Sequence, residues 1–451
     1  MVHKAGICTV AGLVFFTTVF AADWPQFCGP DRNNTSTETG LAHSWPAAGP
    51  AVLWSAKVTS GYAGPAVKNG SVYLLEHDGV RSSVRCLALD SGKELWTCSF
   101  DDPGSVDKKY PGTRGTPTVT DDTLYAVTLL GTVVCVDLKS HQIKWQHNLI
   151  KEYGRKRSGW GVAQSPVLAG NLVIIAPLTA TASLVALDKD SGREVWKTPG
   201  FSGDGYVSPA MISIDGEEQI LMVAGGAKPA KPARRAKPAD AAAAAAAAAE
   251  NEEPKGTPLP TYVFAVSPKD GKVLWSYEGW SCEAPIPHPV QVNRNTLFIT
   301  SGYKSVSALI KVEKKEGGCE IKELFKTERA ATQIEQPVFV NNYLFVGGTT
   351  KNPRRGLVCM DLEGNVKWES GKAEGGPAFN DLNIIAADGM LIGLDGDSGK
   401  LHLIEASPKE FKVLASAAVL PEKGQTWAPI ALSGGKLLVR DHTVMKCLNL
   451  K

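Results

Sequence analysis

Residues 184–196, LVALDKDSGREVW, constrain the fold more than any other stretch, because the chain writes them repeatedly. Val185 and Leu187 alternate with smaller neighbours, Asp188 opens a turn, and Val195 and Trp196 restart the apolar pattern. Gly192 supplies the positive φ that such a hairpin needs. Related hairpins stand at 86–96, 135–145, 263–275 and 357–368, each ending in Trp. The Trp follows the acidic residue, or Ser267 in one copy, by six to eight residues, so the turns vary while the strands keep register. Asp90, Asp137, Asp188 and Asp361 accordingly read as turn-forming carboxylates. A second signature, a Pro opening a short apolar strand, recurs at Pro65, Pro117, Pro166, Pro209, Pro289, Pro337, Pro377 and Pro429. Successive intervals run from 40 to 52 residues, apart from one of 80.

A period in the forties to low fifties, with short strands and one Trp per unit, defines the blades of a β-propeller rather than helical solenoid repeats. Pro suits the first residue of an innermost strand, which need not donate a ladder hydrogen bond. The Trp is expected to wedge between blades, since each blade buries its faces only against its neighbours. The expected fold is all-β: an eight-bladed propeller of four-stranded antiparallel blades over 51–451, with seven blades as the fallback. Residues 51–57 hold an outer strand and Trp54 with no strand before them, and 444–450 hold the missing half with no Trp after it. The two ends should therefore complete one blade and close the ring. The fifth unit has Phe325 in the Trp slot, and the seventh, from Pro377, has no Trp.

Residues 1–22 read as a secretory signal, with His3 and Lys4 before a short apolar core and a cleavage site near Ala21. The core is too short for a membrane span, so the protein is expected to be periplasmic or secreted. Residues 23–50 carry no strand pattern and read as an extended strap laid over the rim. Residues 227–260, with nine consecutive Ala between Pro-bearing basic and acidic flanks, account for the long interval and read as a disordered insertion in blade four. Export permits disulfides among the nine Cys. Cys135, Cys359 and Cys447, however, occupy a slot assigned in other copies to Ala88, Ala186 and Ala265, and read as small buried hydrophobes. Cys86 and Cys98, on adjacent strands, are the pair placed to bridge. A net charge of +2 gives no electrostatic case for nucleic acid, and the basic run 151–157 reads as a solvated loop. Zinc spacings, phosphate loops and nucleophile elbows do not occur.

The xxALDxxxGxxxW repeat resembles the PQQ-like propeller repeat over nearly the whole chain after residue 50. That repeat is named for quinoprotein dehydrogenases holding pyrroloquinoline quinone, and it also builds the periplasmic scaffold of the outer-membrane β-barrel assembly machinery. WPQF at 24–27, TWAP at 426–429 and the RDHTVMKCLNL ending resemble exported planctomycete-type propellers. The dehydrogenase resemblance implies PQQ with Ca²⁺ held by Glu, Asn and Asp, an Asp base, and adjacent Cys against the cofactor. No two Cys are neighbours here, and the carboxylates near the channel mouth, chiefly Glu283, Glu335 and Glu374, come from separate blades without an Asn/Asp cluster beside them. The expectation is therefore no cofactor, no metal and no catalytic residue.

In a propeller the segments leading into the innermost strands line one mouth of the central channel. Here they supply Tyr62, Arg114, Trp160, Gln164, Tyr206, His288, Glu335 and Trp427. Such a ring could stack on a planar or sugar-like ligand and orient it by hydrogen bonds, or it could plug the channel by bonding to itself. The expected function is a monomeric, exported, non-enzymatic binding or scaffold module for a protein or polysaccharide partner at the propeller face. The alternative is a PQQ-dependent alcohol or sugar dehydrogenase with a diverged site.

Overall fold

The computed structural model describes residues 22–104, 110–156, 159–201, 205–225, 261–302, 305–347, 356–422 and 424–451. Within them lie eight four-stranded antiparallel sheets, each running from an innermost to an outermost strand. The innermost strands of blades one to eight are Ala66–Lys68, Thr118–Val119, Val167–Ala169, Ala210–Ile214, Val290–Asn293, Val338–Val340, Leu382–Ala387 and Ala431–Ser433. Blade eight takes its outermost strand, Val52–Lys57, from the start of the chain. That strand pairs with Val444–Asn449, Val52 opposite Leu448 and Lys57 opposite Val444, so the ring closes as expected. No helix among the described residues is long and apolar enough to cross a membrane. Residues 1–21 of the expected signal over 1–22, and the expected insertion over 227–260, lie outside the described residues. Blade four is nonetheless continuous across the insertion, since Ala224 faces Tyr262.

Each Trp sits opposite a small residue on the neighbouring strand, as Ala186 faces Trp196, Cys135 faces Trp145 and Cys447 faces Trp54. A bulge adjoins each pair and sharpens the local twist. The indoles then reach the next blade. Nε1 of Trp54, Trp145, Trp196 and Trp368 donates to the carbonyls of Leu89 (2.7 Å), Lys189 (3.1 Å), Pro268 (3.0 Å) and Ser407 (2.8 Å). Gly192 is required twice over: its φ is 73°, and a Cβ there would stand 2.7 Å from the Trp145 ring. Blade two fills the same slot with His141, whose ring stacks on Trp96 at 4.6 Å.

Three details differ from the sequence reading. In blade one Cys86, not Ala88, faces the Trp, and Ala88 opens the turn, accepting from the Gly92 amide at 2.8 Å. Asp90 is thus an exposed turn residue. Asp137, Asp188 and Asp361 do form the expected side-chain turns, accepting the amides of Ser140, Ser191 and Asn365 at 2.7, 2.8 and 2.8 Å. Cys86 and Cys98 are both free thiols, because Cys98 faces Val84 while Cys86 faces Trp96. Burial pushes the Cys135, Cys359 and Cys447 thiols up to about 12, in keeping with their role as small hydrophobes. Blade seven begins at Leu382 rather than at Pro377, and its LDGDSG turn joins the second and third strands, Met390–Asp395 and Lys400–Glu405. Its Trp slot holds Ala415.

The strap does not merely cross the rim; its first part runs through the channel. Innermost strands expose an unpaired edge toward the axis, and the strap backbone satisfies it. Trp24 and Val67 exchange amide hydrogen bonds at 2.9 and 2.8 Å, and the Val119 amide donates to Pro25 O at 2.8 Å. On the far side the Ala386 amide donates to Asn34 O and the Ser36 amide to Ala386 O, both at 2.9 Å. Between these anchors the buried Arg32 guanidinium donates to the carbonyls of Pro166 and Pro209, the latter at 2.8 Å, and so ties the strap to blades three and four. His288 of blade five donates from Nε2 to Arg32 O at 2.6 Å.

Candidate functional site

The strap partitions the channel. On one side lies a cavity of about 660 Å³ between the strap and the far ends of the inner strands of blades two to five. On the other lies a cup of about 520 Å³ at the mouth formed by the lead-in segments, with Phe27, Cys28 and Asn34 of the strap as its floor. Six of the eight expected residues line this cup: Tyr62, Arg114, Trp160, Tyr206, Glu335 and Trp427. Gln164 instead bridges two lead-ins, donating from Nε2 to Gly205 O at 2.6 Å. His288 lies beneath the strap, and burial lowers its pKa to about 4, so it is a neutral anchor at physiological pH.

The cup is two-sided. The lead-ins of blades eight, one, two and three supply rings. Trp427 stacks on Tyr62 at 5.5 Å, Tyr110 stacks on Trp160 at 4.1 Å, and Tyr110 continues to Trp427 at 6.1 Å. The Tyr62 hydroxyl donates to Gln425 Oε1 at 2.9 Å. Arg114 lies 5.6 Å over the Tyr62 ring and donates to the Gly112 and Tyr110 carbonyls.

The lead-ins of blades five, six and seven supply acids, Glu283, Glu335 and Asp381. Glu335 is 3 % exposed and Asp381 0 %. Neither carboxylate has a hydrogen-bond partner, and the same holds for the buried Nδ2 of Asn383 and Nε1 of Trp427. Burial, followed by repulsion from Asp397 and Asp395, raises Asp381 to about 7. Burial and then Asp381 hold Glu335 well above the usual carboxylate range, offset in part by the backbone amides of Glu335 and Ile334, which approach it without hydrogen-bond geometry. Asp395, by contrast, is anchored by the amides of Asn380 at 3.1 Å and Ser398 at 2.8 Å. Asp381 has φ 52°, a left-handed conformation that Asp tolerates better than most residues.

Asp381 and Asn383 correct the expectation that Glu335 stands without an Asn/Asp neighbour. A seventh unit that starts at Pro377 leaves both unassigned, so the sequence does not mark them. Tyr110 precedes Pro117 by more than the other mouth residues precede theirs, so it too went unmarked. Glu283 lines the cup and Glu374 does not. Among the described residues no group of three or more His, Cys, Asp or Glu converges as a metal centre.

A family model described as outer membrane protein assembly factor BamB matches residues 29–155 and 131–226. No curated protein gives a match. Among solved structures, BamB from Moraxella catarrhalis superposes with a TM-score of 0.57 at 13% identity, covering 89% of this chain and 99% of that one. The quinohemoprotein alcohol dehydrogenase ADHIIG from Pseudomonas putida HK5 gives 0.63 at 12% identity, covering 95% and 80%. A europium-containing methanol dehydrogenase gives 0.62 at 11%, covering 93% and 89%. At such identities the likeness is one of fold. In its repeat, in the family match over 29–226 and in its fold, the chain is similar to the PQQ-like β-propellers.

Proposed function

We propose that the protein is an exported binding propeller whose channel-mouth cup holds a saccharide without transforming it. One observation carries this reading: a wall of stacked rings faces buried carboxylates and a buried amide that have no partner within the protein. Leaving such groups unpaired costs about 1–3 kcal/mol each, a cost that a ligand bearing donors and acceptors relieves. A sugar presents an apolar face for the rings and hydroxyls at its edge. Because the strap forms the floor, the ligand enters and leaves by one mouth. Export rests on the signal pattern of 1–22 and agrees with a family described by outer-membrane assembly.

A quinoprotein dehydrogenase is the second reading, favoured by one feature. Glu335, Asp381 and Asn383 bring together oxygen donors of the kind Ca²⁺ takes. The quinone itself does not fit the residues present. PQQ is a tricarboxylate, and the cup meets it with Glu283, Glu335 and Asp381 against Arg114, whose guanidinium already serves the Gly112 and Tyr110 carbonyls. No two cysteines are adjacent to stack against it. No redox step is therefore derived.

Calorimetric titration of the full chain with an oligosaccharide panel, and separately with PQQ plus CaCl₂, tests the proposal. Saccharide binding that is lost in Trp427→Ala, without PQQ uptake, is the expected result. Micromolar PQQ binding with dye-linked turnover that disappears in Glu335→Gln would overturn it.

A further inference from the structure

The acid side of the cup asks for more than a neutral sugar. A hydroxyl satisfies a carboxylate's hydrogen-bonding capacity but brings no charge, so two ionised carboxylates buried close together would still repel one another. A ligand cation would relieve that repulsion. The opposite side favours the same property, because the faces of Trp427, Tyr62, Tyr110 and Trp160 attract cations. The two unpartnered donors, Nδ2 of Asn383 and Nε1 of Trp427, require acceptor oxygens close to that charge.

Building on the saccharide-binding reading, we propose that the cup is a receptor for a saccharide carrying a free ammonium group. A glucosamine-type ring places its –NH₃⁺ against Glu335 and Asp381, and its neighbouring hydroxyl oxygens accept from Asn383 and Trp427. A vicinal amino alcohol offers the cation and the acceptors on adjacent carbons, which matches donors and acids gathered in one cavity. A bare divalent ion is the competing occupant. It finds no third carboxylate, His or Cys converging among the described residues, and the ring wall gives it nothing in place of its lost water. Arg114 sits 5.6 Å over the Tyr62 ring, within the ring wall.

The test is titration of the full chain with oligomers of β-1,4-linked glucosamine, with the same oligomers fully N-acetylated, and with CaCl₂ alone. N-acetylation removes the charge and leaves the ring intact. The expected outcome is that the free-amine oligomers bind at least tenfold tighter than the acetylated ones. Glu335→Gln and Asp381→Asn each erase that difference without lowering Tm at pH 8, and Trp427→Ala weakens both ligands. Equal binding of the two oligomers, unchanged in Glu335→Gln, overturns the ammonium assignment and leaves the saccharide reading standing. Failure of every saccharide to bind overturns both. Calcium binding that is lost in Asp381→Asn, with no binding of the amine oligomers, overturns the assignment in favour of a metal.

Discussion

Asp381→Asn should make the protein more stable at pH 8 and less stable at pH 4.5. The folded chain holds this carboxyl at about 7, against 3.8 for the free side chain, chiefly through burial and then through Asp397 and Asp395. The other acid in contact with this region is Glu335, itself raised by Asp381. Well below pH 3.8 both states keep the proton and the group costs nothing. As pH rises from about 4 to about 7 the unfolded chain ionises while the folded one does not, so stability falls, and above about 7 the loss is complete. At about 1.4 kcal/mol per pKa unit, a shift of about three units is a penalty of about 4 kcal/mol. Asn removes it but brings its own unpartnered buried amide, at about 1–3 kcal/mol. The net gain at pH 8 is therefore about 1–3 kcal/mol, whereas at pH 4.5 the charge penalty has shrunk to about 1 kcal/mol and the amide's cost equals or exceeds it. With an unfolding entropy of about 2.1 cal/mol/K per residue, a chain of this length shifts by roughly 1 °C per kcal/mol. Scanning calorimetry on both proteins at pH 4.5, 6 and 8 should show the two Tm curves crossing. A variant displaced equally at every pH would refute the reasoning, because it would mean that the folded state does not penalise the charge.

Gly192→Ala should cost about 2–4 kcal/mol in urea unfolding, combining left-handed strain with the collision against Trp145. Gly170→Ala, at φ 59° with open space around it, should cost only about 1–2 kcal/mol. Arg32→Met should destabilise by about 1–3 kcal/mol by orphaning the Pro209 carbonyl and leaving Pro166 O to the Thr118 hydroxyl alone, and limited proteolysis should then cut within 23–36. Removing 226–260 and joining Gly225 to Thr261 through a short turn should leave Tm within about 1 °C, because Ala224 and Tyr262 already face each other across the gap. Deleting 447–451 removes the partners of Val52 and Trp54 and should lower stability by more than about 4 kcal/mol in denaturant titration.

The blades were legible in the sequence because each is locally encoded: a Pro, an alternating strand, a turn and a Trp at nearly constant spacing. Where a copy lost one mark the register slipped, as at Asp90, which imitates the turn carboxylate two positions late. Blade seven was misplaced at its start because it has neither the inner-strand Pro nor the Trp, with Ala415 in that slot. That single slip hid Asp381 and Asn383, and with them half of the acid wall. The path of the strap was illegible for a different reason. Its bonds to Val67, Val119 and Ala386 are backbone to backbone, so no side-chain pattern records them. Nothing in the sequence sets Arg32 apart, since the two carbonyls that converge on it come from separate blades.

The mixed parentage of blade eight bears on how the chain reaches its fold. Seven blades pair strands close in sequence and can form one after another as the chain emerges. The strand Val52–Lys57 cannot, because the residues it pairs with, 444–448, are made only after the other seven blades. Until they arrive it is a lone edge carrying an exposed Trp54, and ring closure brings together strands separated in sequence by all the other blades. Closure is expected to be the slow, aggregation-exposed step of refolding, and Trp54 fluorescence, quenched or shifted as its indole reaches Leu89, should report it as the last phase to complete.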